Sequence, residues 1–153
     1  MLDLKDLQAA IARFAPADGL HATPIPGLTL IRFSRPSEPC HGLVQPALCI
    51  VAQGRKRTVA GDRVLGYDAE QFLVVTADTP IIGQITEASP EEPYLCLKLD
   101  LSPAAITELL IDVGGITGGA AEADASLSVS RVTPELVDGA ARLVCLLSSP
   151  DDI

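Results

Sequence analysis

The run from Pro46 to Thr79, PALCIVAQGRKRTVAGDRVLGYDAEQFLVVTADT, constrains this chain more than any other stretch. It holds three segments rich in apolar and β-branched residues, Leu48 to Gln53, Arg55 to Ala60 and Phe72 to Thr76. Gly54, Gly61-Asp62, Gly66 and Asp68 separate them. Short β-forming runs punctuated in this way spell out a meander of strands. Gly54 can take the positive φ of a tight turn, and Gly61-Asp62 supplies a second turn of the same kind. A compact β-unit is therefore expected at the centre of the fold.

The 153 residues suffice for one domain that buries about 70% of its unfolded surface, so no disulfide or metal staple is required. The chain is 48% hydrophobic but only 3% aromatic, which makes Val, Leu, Ile and Ala the core builders. A formal charge of -9 repels a phosphate backbone, so these residues are not expected to grip DNA themselves. No apolar run reaches the length of a membrane span. The start, Met1-Leu2-Asp3-Leu4-Lys5, lacks a secretory leader and implies the cytoplasm, where Cys40, Cys49, Cys96 and Cys145, without CxxC spacing, are free thiols.

Leu4, Leu7, Ile11 and Phe14 form an apolar stripe on a short helix over Leu4 to Phe14 that Pro16 ends. Thr23 to Gly27 reads as a turn, Leu28 to Phe33 as a strand, and Ser34 to Pro46 as a connection that carries Cys40 and His41 over a pocket. Ile81 to Thr86 is a further strand, and Glu87 to Pro93 a polar loop. In the strand from Tyr94 to Asp100, Tyr94, Cys96, Lys98 and Asp100 alternate with Leu95, Leu97 and Leu99. At least six strands in about 70 residues suit a small barrel or a double-sheet jelly roll.

Ser102-Pro103 opens a helix over Ala104 to Val113, and Gly114 to Ser128 reads as a flexible linker. Thr133-Pro134 opens a second helix whose stripe is Leu136, Ala140, Leu143 and Leu147. That stripe either caps the β-unit or contacts a second copy.

No catalytic residue and no metal ligand set is expected. The chain has two histidines, His21 and His41, both read as loop residues, whereas a first-row metal in a β-barrel needs several imidazole and carboxylate donors converging from rigid strands. Neighbours such as Cys40 and His41 point apart on extended backbone, and no nucleophile elbow or phosphate loop is present. Cys49 and Cys96 read as buried small hydrophobes or as sensor thiols, the latter needing access and a lowered pKa. Lys56 alternates with Arg55 and Arg57. The three either guard an edge strand or, where one faces inward, require an anion such as a carboxylate ligand.

The segment from Gln45 to Arg57, then Tyr67-Asp68-Ala69, Phe72 to Val75, and Ala88-Ser89-Pro90-Glu91-Glu92-Pro93-Tyr94-Leu95 together resemble the N-terminal domain of a subgroup of AraC-type transcriptional regulators. The resemblance runs from about Thr23 to the C-terminus. It implies a mainly β fold with flanking helices: a cupin-like β-barrel or jelly roll followed by two C-terminal helices. The expected division is an N-terminal helix and arm over 1–22, the cupin-like barrel over 23–101 and a helical dimerisation segment over 102–153. It further implies a small-molecule effector inside the barrel, a homodimer, and DNA contact only through a paired helix-turn-helix domain that these residues do not contain. No cofactor and no membrane partner are expected. Candidate effector contacts are Cys49, Val51, Gln53, Tyr67, Phe72, Val74, Tyr94 and Cys96, with inward and outward parity left open; candidate dimer contacts are Leu136, Ala140, Leu143 and Leu147. Gln53 serves either to satisfy loop backbone groups or to touch the ligand. The alternatives are a stand-alone cupin enzyme, an isomerase or metal-dependent oxygenase, and a dimerisation module without ligand.

Overall fold

Turn chemistry and alternation organise the chain as the sequence suggests, with more strands than its apolar runs disclose. The computed structural model describes residues 1–69, 71–102, 104, 108 and 127–149. Helix α1 (Leu4–Phe14) is followed by nine strands: β1 (Gly19–Ala22), β2 (Leu28–Phe33), β3 (Cys40–Val44), β4 (Ala47–Gln53), β5 (Arg55–Ala60), β6 (Arg63–Asp68), β7 (Gln71–Val75), β8 (Thr79–Glu87) and β9 (Tyr94–Asp100). Strand β10 (Leu127–Arg131), helix α2 (Pro134–Cys145) and a 3-10 turn (Leu146–Ser148) complete the described chain. The first C-terminal helix expected, over Ala104 to Val113, lies outside the described residues. So does most of the expected linker, although its last two residues, Leu127 and Ser128, are strand β10 rather than linker.

The strands form two antiparallel sheets, six-stranded in the order β1-β2-β9-β4-β7-β10 and four-stranded in the order β3-β8-β5-β6. The fold is thus mainly β with flanking helices. Among the described residues the sheets remain separate and do not close into one hydrogen-bonded barrel, so the architecture is a double sheet. The six-stranded sheet draws on residues on either side of 23–101, since β1 pairs with β2 and β10 with β7. Strand β5 lies between β8 and β6. Its charges therefore do not guard an edge; Arg55 and Arg57 are exposed and Lys56 is half-buried.

The six-stranded sheet is buried on both faces. Leu48, Ile50 and Ala52 of β4, Phe72 and Val74 of β7, and Leu95 and Leu97 of β9 meet Leu7, Ile11, Ala140 and Val144 of the two helices. Ala47, Cys49, Val51, Leu73, Val75, Tyr94 and Cys96 face the second sheet, where Tyr67 and Ile85 meet them. Each fully buried Leu or Ile contributes roughly 1.5–3 kcal/mol of transfer free energy, which makes helix docking a major term in stability.

The helices start where their capping residues stand. At α1, Asp3 Oδ1 accepts from the Asp6 amide at 3.0 Å while Asp6 Oδ2 accepts from the Asp3 amide at 2.8 Å. At α2, Thr133 Oγ1 accepts from the Leu136 amide at 3.1 Å and Pro134 occupies the first turn.

Candidate ligand-binding cavity

Between the sheets lies a cavity of about 190 Å³. The six-stranded sheet contributes Leu20, Ile31, Cys49, Leu73, Tyr94, Cys96 and Lys98 to its wall. The four-stranded sheet contributes Val44, Lys56, Thr58, Tyr67 and Ile81. Thr58, Leu73, Tyr67, Tyr94 and Cys96 are buried and form the inner end, whereas Leu20, 69% exposed, marks the opening.

The wall is apolar with a few polar groups. Thr58 Oγ1 is buried beside the Tyr67 phenol, to which it hydrogen-bonds in opposition to the burial that raises that phenol. Lys98 Nζ stands 3.9 Å from Asp100 Oδ1, a weak and partly exposed pair. Lys56 has no ion-pair partner among the described residues, and its stem crosses Gly83, where a Cβ would lie 3.2 Å from the lysine Cε. Among the described residues no carboxylate and no histidine lines the cavity.

Burial decides the protonation of the other groups. Desolvation pushes the Cys49 thiol up to about 12, reinforced by neighbouring Cys96 and by Asp100 and opposed by Lys56 and Lys98. It also raises Cys96, against the pull of Tyr94 and the same two lysines, and raises the Tyr67 and Tyr94 phenols well above their ordinary value. At neutral pH the inner wall therefore presents neutral thiols and phenols. The lowered pKa that a sensor thiol needs is the reverse of what Cys49 and Cys96 have.

The structure gathers Cys49, Tyr67, Tyr94 and Cys96 in this wall. Val51 faces the same way and packs in the intersheet core without lining the cavity. Phe72 and Val74 lie on the opposite side of their sheet, under the helices, because alternation sends them away from Leu73. Gln53 ends β4, where its Nε2 donates to the Pro93 carbonyl at 2.8 Å. Just before it, the β4–β9 register slips by one residue between Val51 and Gln53. The carbonyl of Ala52, the extra residue, accepts from Gln8 Nε2 of α1 at 2.8 Å, so the bulge ties helix to sheet.

Of the helical stripe, Ala140 is buried and Leu136, Leu143 and Leu147 are half-buried against the helix-side core. His21 and His41 are strand residues, on β1 and β3, rather than loop residues, and the connection expected over 34–46 becomes strand from Cys40. The His21 ring nitrogen Nε2 lies 2.6 Å from the Ala17 carbonyl, which fixes it as the donor. Cys40 Sγ donates to the His41 carbonyl at 3.8 Å. Among the described residues, no three His, Cys, Asp or Glu side chains converge as a metal site would require, and no helix is long and apolar enough to cross a membrane.

Thr58 and Lys98 are wall residues that the sequence reading left out. The signal was present: Lys98 shares the parity of Tyr94 and Cys96, and Thr58 that of Lys56.

The family described as the AraC-type transcriptional regulator N-terminus matches residues 24–153. A search of curated proteins finds no match to the chain. The match takes in every strand from β2 onward and helix α2, hence nearly the whole wall of the cavity, and the chain belongs to the AraC-type transcriptional regulator N-terminus family.

Proposed function

We propose that this chain is the effector-sensing and dimerisation domain of an AraC-type regulator, taking a small molecule into the cavity between the sheets. The observation that carries the reading is the cavity itself, an apolar space between the two sheets whose wall also holds Lys56, Lys98 and the Thr58 hydroxyl. A mainly apolar pocket with a few convergent polar groups is the form that a small-molecule site takes. On the other side of the same sheet stand α1 and α2, so a ligand that favours one arrangement of the sheet biases the helices. That differential affinity is what regulation of an attached DNA-binding domain requires.

A second copy packed along α2 would cover the outer sides of Leu136, Leu143 and Leu147. An enzyme of the cupin type would need donors or a catalytic dyad in the cavity. Its wall of thiols, phenols, lysines and one threonine suits binding better.

Native mass spectrometry of the purified chain tests the proposal, since one spectrum reports subunit number and any co-purified molecule. A dimer carrying an organic adduct is expected. A monomer without adduct, and with no compound in a metabolite library raising its Tm, would overturn the reading.

A further inference from the structure

We infer that the effector is a small monocarboxylate, its apolar body filling the cavity and its carboxylate held by Lys56, Lys98 and the Thr58 hydroxyl. The inference rests on the reading of this cavity as the effector site and adds the chemistry of what enters it.

Charge gives the sign. Among the described residues two ammonium groups and no carboxylate line the cavity, and Asp100, beside Lys98 at its margin, offsets only one of them, so the space favours an anion. Lys56 of one sheet and Lys98 of the other both stand in the wall, which places the two positive charges around the same space. Lys98 has only a long, partly exposed contact with Asp100, and Lys56 has no partner among the described residues. Both are available to a ligand. A carboxylate is acceptor-only, and it meets here a set of donors: two ammoniums and the Thr58 hydroxyl, which can turn to it from the Tyr67 phenol.

Volume and lining give the body. About 190 Å³ is somewhat more than the roughly 150 Å³ that admits benzene, so the ligand is of aromatic-acid or short-chain-acid size. The rest of the wall is mainly aliphatic side chains, thiols and tyrosine rings, which offers little to a polyol and much to an apolar body.

The test is an NMR titration of the isotope-labelled chain with two matched pairs, benzoate against benzamide and hexanoate against hexanamide. Amide signals of Thr58, Tyr67 and Cys96 are followed. At least one acid is expected to bind about tenfold or more tighter than its amide, and Lys56→Met or Lys98→Met to reduce that preference while amide binding persists. Thr58→Val, a near-isosteric change, should weaken acid binding severalfold with the rest of the spectrum retained. If an amide binds as tightly as its acid, or the preference survives both lysine substitutions, the carboxylate assignment falls and the cavity remains an effector site for a neutral molecule. If neither pair nor benzene moves the cavity signals, the cavity reading falls with it.

Discussion

Two residues carry opposite relations to the space around them. Thr58 has room around its buried hydroxyl, which the Tyr67 phenol shares. Thr58→Val removes that bond and is expected to destabilise the chain by about 1 kcal/mol, read as a lower urea midpoint at unchanged m-value. Gly54 has no room at all. Its φ is +87°, and a Cβ there would lie 2.5 Å from the Glu87 carbonyl oxygen and 3.1 Å from Tyr94 Cα. Gly54→Ala is therefore expected to cost at least about 2 kcal/mol in the same experiment, through both the left-handed backbone and the collision. The glycine was legible as a turn former from sequence. The place of Thr58 in the cavity wall was not, because a threonine in a β-run reads only as a strand former, and its meeting with Tyr67 is a property of three dimensions.

Legibility among the elements followed the strength of local signals. Helix α1 begins and ends at the residues its stripe and Pro16 indicate, and α2 begins at its Thr-Pro cap. Strands β1, β3 and β6 escaped notice because they are short or outward-facing, with exposed Leu20, Leu43 and Val64 where an apolar stripe would have been sought. All three lie at or beside sheet edges, and their partners hold them extended. The Gly61-Asp62 turn between β5 and β6 has positive φ at the glycine alone, the pattern of a type II′ hairpin. The interface between α1 and α2 turns on Asp138, whose Oδ1 accepts from the Leu2 amide at 2.8 Å and from Arg142 Nε at 3.1 Å. The backbone bond from Leu2, followed by that of Arg142, holds this carboxyl below the ordinary range. Its contribution is present above the unfolded value, near 3.9, and is lost as pH falls through the lower folded value. Asp138→Asn should flatten the acid limb of a Tm-against-pH curve, while the curve of the parent protein drops below about pH 4.

At the scale of the molecule, the cavity gathers four groups whose ionisation opposes folding. Cys49, Cys96, Tyr67 and Tyr94 are all raised by burial. For each, stability is fully present below its unfolded value and is lost as pH rises toward the folded one. Thermal stability should therefore decline from about pH 9 upward, with the ultraviolet signature of tyrosinate appearing together with unfolding and not before it. A tyrosinate signal that rises while the fold stays intact would contradict the burial. The double coverage of the six-stranded sheet also sets which positions can change. In β5, where one face is covered and the other meets solvent, replacement by polar residues should be tolerated at every second position. In β4, where Ala47 to Ala52 is buried without interruption, no such rhythm should exist. A saturation scan of the two strands would then read as a period of two in one and as continuous intolerance in the other, so inherited variation around the cavity has few places to accumulate except on the smaller sheet.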